Sequence, residues 1–256
     1  MRRINFMARL ILYTGLALFS FFFLSGCEVD QIQEAQPEEL TEELTEPGSA
    51  TYTGYSNATD NGYAWAKVTI EGDDITDVQL MEVLSTGNEK DYESYNHEPS
   101  VEAYQRMPER FEEADSADVD VYSGATDSSK KYIEAVQRAL DYVQGGEEGT
   151  YYDGKFQGES RRTENGYAVA LITIVDDKLN DVELKETDSE GEWKDFSEYE
   201  WEAAVEAHEE MPERFVEANS PEVDLYTNAT QSSIRYKEAV KNALRHARKN
   251  PKKEVE

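Results

Sequence analysis

The sequence predicts an α+β protein of two tandem repeats, each a small antiparallel sheet packed with helices, preceded by a signal peptide and a disordered acidic tether. Three observations predict it. Shifted by 104 positions the chain matches itself, Thr51–Leu140 against Lys155–Leu244, with about half of roughly ninety positions identical and no insertion. Within each copy the apolar residues first alternate with polar ones and then recur at a helical period. Before the first copy the composition changes twice, from apolar to acidic. The boundaries read as 1–26 signal peptide, 27–49 tether, 50–145 first domain, 150–248 second domain and 249–256 tail.

The leader comes first. Arg2, Arg3 and Arg9 form a basic start, an uncharged apolar run extends from Leu10 to Leu24, and small residues follow. That run is shorter than the roughly 20 residues a membrane span needs, so export fits better than a permanent anchor helix. Leu24-Ser25-Gly26-Cys27 resembles the bacterial lipobox. The resemblance implies that Cys27, the chain's only cysteine, is diacylated and becomes the mature N-terminus. The expected location is the extracytoplasmic face of the cell membrane, reached through lipid. A lone cysteine leaves no disulfide and no cysteine-rich metal site. Residues 28–49, rich in Glu, Gln, Thr and Pro, hold too little apolar surface to build a core and read as a solvated tether.

A net charge of −30, from 55 acidic and 25 basic residues, argues against nucleic acid and against electrostatic docking on anionic lipid. The basic cluster from Arg245 to Lys253 follows an expected helix and reads as cations at its C-terminus.

In each copy, Ala64–Ile70 and Ile75–Leu80, repeated as Ala168–Ile174 and Leu179–Leu184, alternate apolar with polar residues around a short polar turn and predict a hairpin. Pro99–Ala114 is helical in pattern, with Pro108 either opening a second short helix or kinking one. Tyr132, Ile133, Val136, Ala139, Leu140 and Val143 fall on one face of a last helix over Lys130–Val143. Gly145-Gly146 marks the seam between copies.

The segment before that last helix carries the candidate chemistry: Asp120-Val121-Tyr122-Ser123-Gly124-Ala125-Thr126-Asp127-Ser128-Ser129. Amides at a helix N-terminus, with hydroxyls beside them, suit a phosphate. Gly124 permits positive φ or a close backbone approach, and Ser128 or Ser129 is placed to cap the helix. A well-capped helix start explains the composition equally well.

Asp-x-x-Ser-Gly-Ala-Thr-x-Ser-Ser resembles the signature of the FMN-binding domain family, which also precedes a helix. The two-domain lipoprotein layout is most similar to lipoproteins of flavin-based extracellular electron transfer. The resemblance implies that the Thr126 hydroxyl is joined to the phosphate of FMN by a Mg-dependent flavin transferase using FAD, with Asp120, Ser123, Gly124, Ala125, Ser128 and Ser129 forming the motif around it. The chain is then an electron carrier between a membrane donor and a periplasmic or extracellular acceptor, and a substrate of the transferase rather than an enzyme. Copy two reads Asp224-Leu225-Tyr226-Thr227-Asn228-Ala229-Thr230-Gln231-Ser232-Ser233. Thr227 keeps the hydroxyl of Ser123, whereas Asn228 replaces Gly124. Asparagine tolerates left-handed backbone geometry, so Thr230 stays a second candidate acceptor, although its neighbour's side chain stands to obstruct the phosphate or the transferase. A lipid-anchored adhesion module without redox chemistry, and a non-covalent FMN binder, are the alternatives.

Other signals lead less far. Tyr63 with Tyr167, and Tyr122 with Tyr226, recur in register and suit either flavin stacking or ordinary packing. Arg110 and Arg214, in the repeated Met-Pro-Glu-Arg-Phe, either shape the pocket or belong to a helix junction. His97, His208 and His246 do not recur in register, which argues against a shared metal or acid–base site.

Overall fold

The computed structural model describes residues 48–143 and 149–250. The signal segment, Cys27, nearly all of the tether, the glycine seam and the end of the tail lie outside them. Each repeat runs strand, strand, strand, helix, helix. The first comprises β1 (Ser49–Tyr55), β2 (Tyr63–Glu71), β3 (Asp74–Val83), α1 (Glu98–Ala114) and α2 (Thr126–Val143). The second comprises β4 (Gly154–Glu159), β5 (Ala168–Val175), β6 (Lys178–Glu186), α3 (Glu202–Ala218) and α4 (Thr230–His246). Both sheets are antiparallel, in the orders β1-β2-β3 and β4-β5-β6.

The expected hairpin is present in both copies, and a third strand joins it. Ser-Ala-Thr-Tyr-Thr-Gly-Tyr offers little apolar alternation because its strand, β1, meets the last helix through a glycine. A Cβ on Gly54 would run into the Ala135 carbonyl and the Ala139 amide, and one on Gly158 into α4 at Ala239 and Ala243. These glycines let backbone rest on backbone. Pro108 and Pro212 neither divide nor start a helix: α1 and α3 each continue through 17 residues. Met107, Phe111, Met211 and Phe215, which flank the prolines, are wholly buried against the sheet, so packing holds the helices together across the missing hydrogen bond.

Each repeat has its own core, Ala66, Val68, Met107, Phe111 and Val136 in the first and Phe156, Ile172, Met211, Phe215 and Val240 in the second. The two are also pressed together. The Tyr55 ring stacks on His246 at 3.9 Å, Ala58 donates its amide to the Lys155 carbonyl at 2.7 Å, and the Arg138 guanidinium lies 4.5 Å over the Tyr152 ring. Tyr63 and Tyr167 belong to this seam: the Tyr63 hydroxyl bonds Glu159 at 3.3 Å and that of Tyr167 donates to the Thr86 carbonyl at 2.8 Å. They serve packing between repeats, one of the two roles their recurrence allowed.

Candidate functional site

The loop before the last helix is built identically in both copies. The Ala125 N–H donates to the Tyr122 carbonyl at 3.0 Å, closing a four-residue turn whose third residue, Gly124, has φ +80°. A turn with positive φ at that position takes glycine or asparagine. In copy two the Ala229 N–H donates to Tyr226 at 3.1 Å, and Asn228 stands at φ +62°. The substituted loop therefore keeps its backbone shape. The substitution has a partner across the fold. A Cβ on Gly124 would lie 3.0 Å from Cβ and 3.1 Å from Cγ of Pro99; Ala203, in its place in copy two, keeps the Cβ and lacks the Cγ, beside a cleft of about 360 Å³ that Asn228 and Thr227 also line.

The hydroxyls then separate into two groups. Ser129, fully buried, accepts from the Tyr122 N–H at 2.9 Å and donates to the Ala125 carbonyl at 2.7 Å; Ser233 does the same at 2.9 and 2.8 Å. Ser128 is buried and bonds Glu82, as Ser232 bonds Glu186 at 3.2 Å. Neither serine caps a helix, contrary to the sequence expectation, because α2 and α4 begin earlier, at Thr126 and Thr230. Residue Ala229 occupies the cap position of α4 and has no capping side chain. The serines instead fasten turn and helix to the core. Thr126 and Ser123, with Thr230 and Thr227, are exposed, as are Asp120, Gly124, Asp224 and Asn228, while Ala125 and Ala229 are buried plugs beneath the turn. Thr126 and Thr230 thus place a solvent-facing hydroxyl at the first helical residue, where amides have yet to meet an intrahelical acceptor and the dipole favours an anion.

Behind the loop stands a cation. The Arg110 guanidinium lies 5.0 Å over the Tyr122 ring and Nη1 donates to the Asp120 carbonyl at 3.4 Å. Arg214 lies 4.8 Å over Tyr226. The tyrosine hydroxyls donate to Glu102 and Glu206, each at 3.0 Å. The repeated Met-Pro-Glu-Arg-Phe segment thereby joins core to loop, its Met and Phe buried and its Arg laid against the loop tyrosine.

Sequence reasoning passed over a buried ionic cluster under the first turn of α2 and of α4. Glu82 receives Lys131 and Lys90, the latter at 3.1 Å, together with the Tyr92 hydroxyl at 3.0 Å. Glu186 receives Arg235, Lys194 at 2.8 Å and the Tyr236 hydroxyl at 2.7 Å. Burial alone would raise the Glu82 pKa; Lys131 first, then its hydrogen bond, Ser128 and Lys90, hold it down at about 2. Two cations on one carboxylate leave each cluster with a net positive charge. The available signal was a glutamate at the inward position of an alternating strand, after Val78 and Leu80 in one copy and Val182 and Leu184 in the other.

A solvent-facing threonine at a helix N-terminus, above a rigid turn and a buried positive cluster, defines a domain able to hold a phosphorylated cofactor at its surface. Residues 61–141 match the model of the FMN-binding domain family, which supports FMN as the cofactor of the first repeat. A crystal structure of the CPE2226 protein from Clostridium perfringens is 23% identical over 38% of this chain and 88% of its own, with a TM-score of 0.34, a likeness too slight to argue from. No curated protein matches the chain.

Proposed function

We propose that this chain is a lipid-anchored, extracytoplasmic electron carrier that holds FMN as a phosphoester on Thr126 and a second FMN on Thr230. One observation carries the choice of acceptor. In each loop the two serines that end the motif are buried and bonded, whereas the threonine before them is exposed at the helix N-terminus. In the transferase the threonine hydroxyl gives up its proton and takes the place of AMP on the flavin phosphorus of FAD. First-turn amides and the helix dipole then favour the phosphate, and Arg110 adds positive charge to the first loop, while Arg214 is paired with Glu210 at 2.7 Å. Bound FMN supplies one- and two-electron redox chemistry, and the protein retains it and sets its potential.

The second site rests on the turn kept at Asn228 and on Ala203, which lacks the proline Cγ that would crowd a side chain there. A membrane donor reduces the carrier and an extracellular or periplasmic partner oxidises it; anchoring runs through acylated Cys27.

The test is the intact mass of residues 28–256 co-produced with a flavin transferase, beside Thr126→Ala and Thr230→Ala. Two FMN-phosphoryl increments, one lost in each variant, are expected. An unmodified mass would overturn covalent attachment and favour a non-covalent binder or an adhesion module.

A further inference from the structure

The second repeat contains a cleft of about 300 Å³, lined by Leu184, Glu186, Trp193, Lys194, Phe196 and His208 among others. Its walls are flat. Phe196 stacks on His208 with centroids 4.0 Å apart and planes 11° from parallel, and the indole of Trp193 is 40% exposed. The Glu186 carboxylate already accepts from Lys194, Arg235, Ser232 and Tyr236. It has little left for a ligand, while the Lys194 ammonium, with three protons, retains donors.

The corresponding positions of the first repeat are chemically different. There Tyr92 stacks on Tyr104 at 4.0 Å, the Tyr92 hydroxyl bonds Glu82 and Tyr132, and Glu89 stands where copy two has Trp193. Copy two thus keeps the stack, replaces both tyrosines with Phe196 and His208, and exchanges an acid for an indole. Packing alone does not explain the change. The Nδ1 of His208 is buried without a hydrogen-bond partner, an arrangement that costs about 1–3 kcal/mol. Burial also lowers the His208 pKa, so its ring is neutral at pH 7 and offers a π-face without a competing charge.

We infer that this cleft binds a planar aromatic or quinoid ring, stacked against the Trp193 and Phe196 walls with a carbonyl oxygen accepting from Lys194. Its volume lies at the lower end for small-molecule sites, which suits a ring system rather than a whole nucleotide. Two sources share that chemistry: the isoalloxazine of a flavin on Thr230, which rests on the function proposed above, and a free quinone-type electron partner, which does not.

The test is calorimetric titration of residues 28–256, produced without transferase, with lumiflavin and separately with 1,4-naphthoquinone. Saturable binding of at least one ring is expected, weakened tenfold or more by Trp193→Glu and by Phe196→Tyr, which restore the residues of copy one. Trp193 packs edge-on to Tyr167 at 5.9 Å, so thermal unfolding of both variants checks that the fold is kept before affinities are compared. A response to lumiflavin assigns the site to the flavin ring and a response to naphthoquinone alone assigns it to a free partner; either supports the cleft. Absence of heat with both rings, or affinity unchanged in both variants, overturns it. The covalent mass increments are read on separately flavinylated protein, so failure of the cleft and failure of flavin attachment are distinguished.

Discussion

Gly124→Asn, made alone and together with Pro99→Ala, asks whether the two loops are interchangeable. Asparagine at φ +80° costs up to about 1 kcal/mol, at the lower end for non-glycine residues in left-handed geometry. Its Cβ would also lie 3.0 Å from Cβ and 3.1 Å from Cγ of Pro99, inside the ordinary contact distance of about 3.5–4.0 Å. Relieving that overlap costs about 1 kcal/mol, the lower end of the overpacking range. The single variant is therefore expected to lose about 2 kcal/mol, or about 4–8 °C in Tm for a fold of this size. Pro99→Ala alone loses about 0.5 kcal/mol through greater freedom of the unfolded chain. In the double variant the contact with Cγ is gone and only that with Cβ remains, so the loss falls about 0.5 kcal/mol short of the sum. Urea unfolding of the four proteins measures this coupling, and intact mass after co-production with the transferase reports whether Thr126 still accepts FMN. Losses that add within about 0.3 kcal/mol would refute the claim that loss of the proline Cγ helps make room for Asn228.

Two further outcomes follow from the same geometry. Ser129→Ala leaves the Tyr122 amide without its acceptor in a buried position and is expected to cost about 1–3 kcal/mol and to reduce flavin incorporation; an unchanged Tm with full incorporation would show that the latch is dispensable. Stability should also fall on acidification below pH 6.5. Burial first, then the Arg245 charge, holds the His246 pKa down to about 3, so the unfolded chain binds a proton that the fold refuses. The contribution is complete above the unfolded value of about 6.5 and shrinks towards pH 3, by at most about 1.4 kcal/mol per pH unit. Glu82, held at about 2, adds a loss of the same sign below its unfolded value. Burial raises the Glu159 pKa, and that group works in the opposite sense, contributing in acid and fading as pH rises. Urea midpoints at pH 5, 6 and 7 should therefore decline towards acid in the native protein and decline less steeply in His246→Phe, where His208, whose pKa burial also lowers, still acts in the same sense; equal slopes would exclude His246 as a source.

The hairpin and the last helix were legible because their apolar residues obey one period over a long enough run. The first strand of each repeat was not. β1 and β4 make their decisive contact through Gly54 and Gly158, and a glycine that lets a helix backbone approach leaves no apolar mark in the sequence. The loop residues were found by motif, but composition cannot tell which serine is a latch and which threonine faces water, since both belong to one polar run. That distinction comes from where α2 begins, at Thr126 rather than after a cap at Ser128 or Ser129. The Glu82 and Glu186 clusters were hidden by abundance: in so acidic a chain a glutamate attracts notice only when its inward strand position is taken into account.

The seam between repeats limits how they can diverge. Tyr55, Arg138 and Tyr142 of the first copy have Glu159, Asn242 and His246 as counterparts in the second; members of both sets meet there in the Tyr55–His246 stack, and Tyr142 donates to the Arg248 carbonyl beside it. The copies have thus become complementary rather than equivalent. Neither can be exchanged for a duplicate of the other without setting unlike groups against each other at the joint. The spacing between Thr126 and Thr230 is fixed by that joint, so natural variation is expected to alter the chemistry at either threonine far more freely than the distance between them.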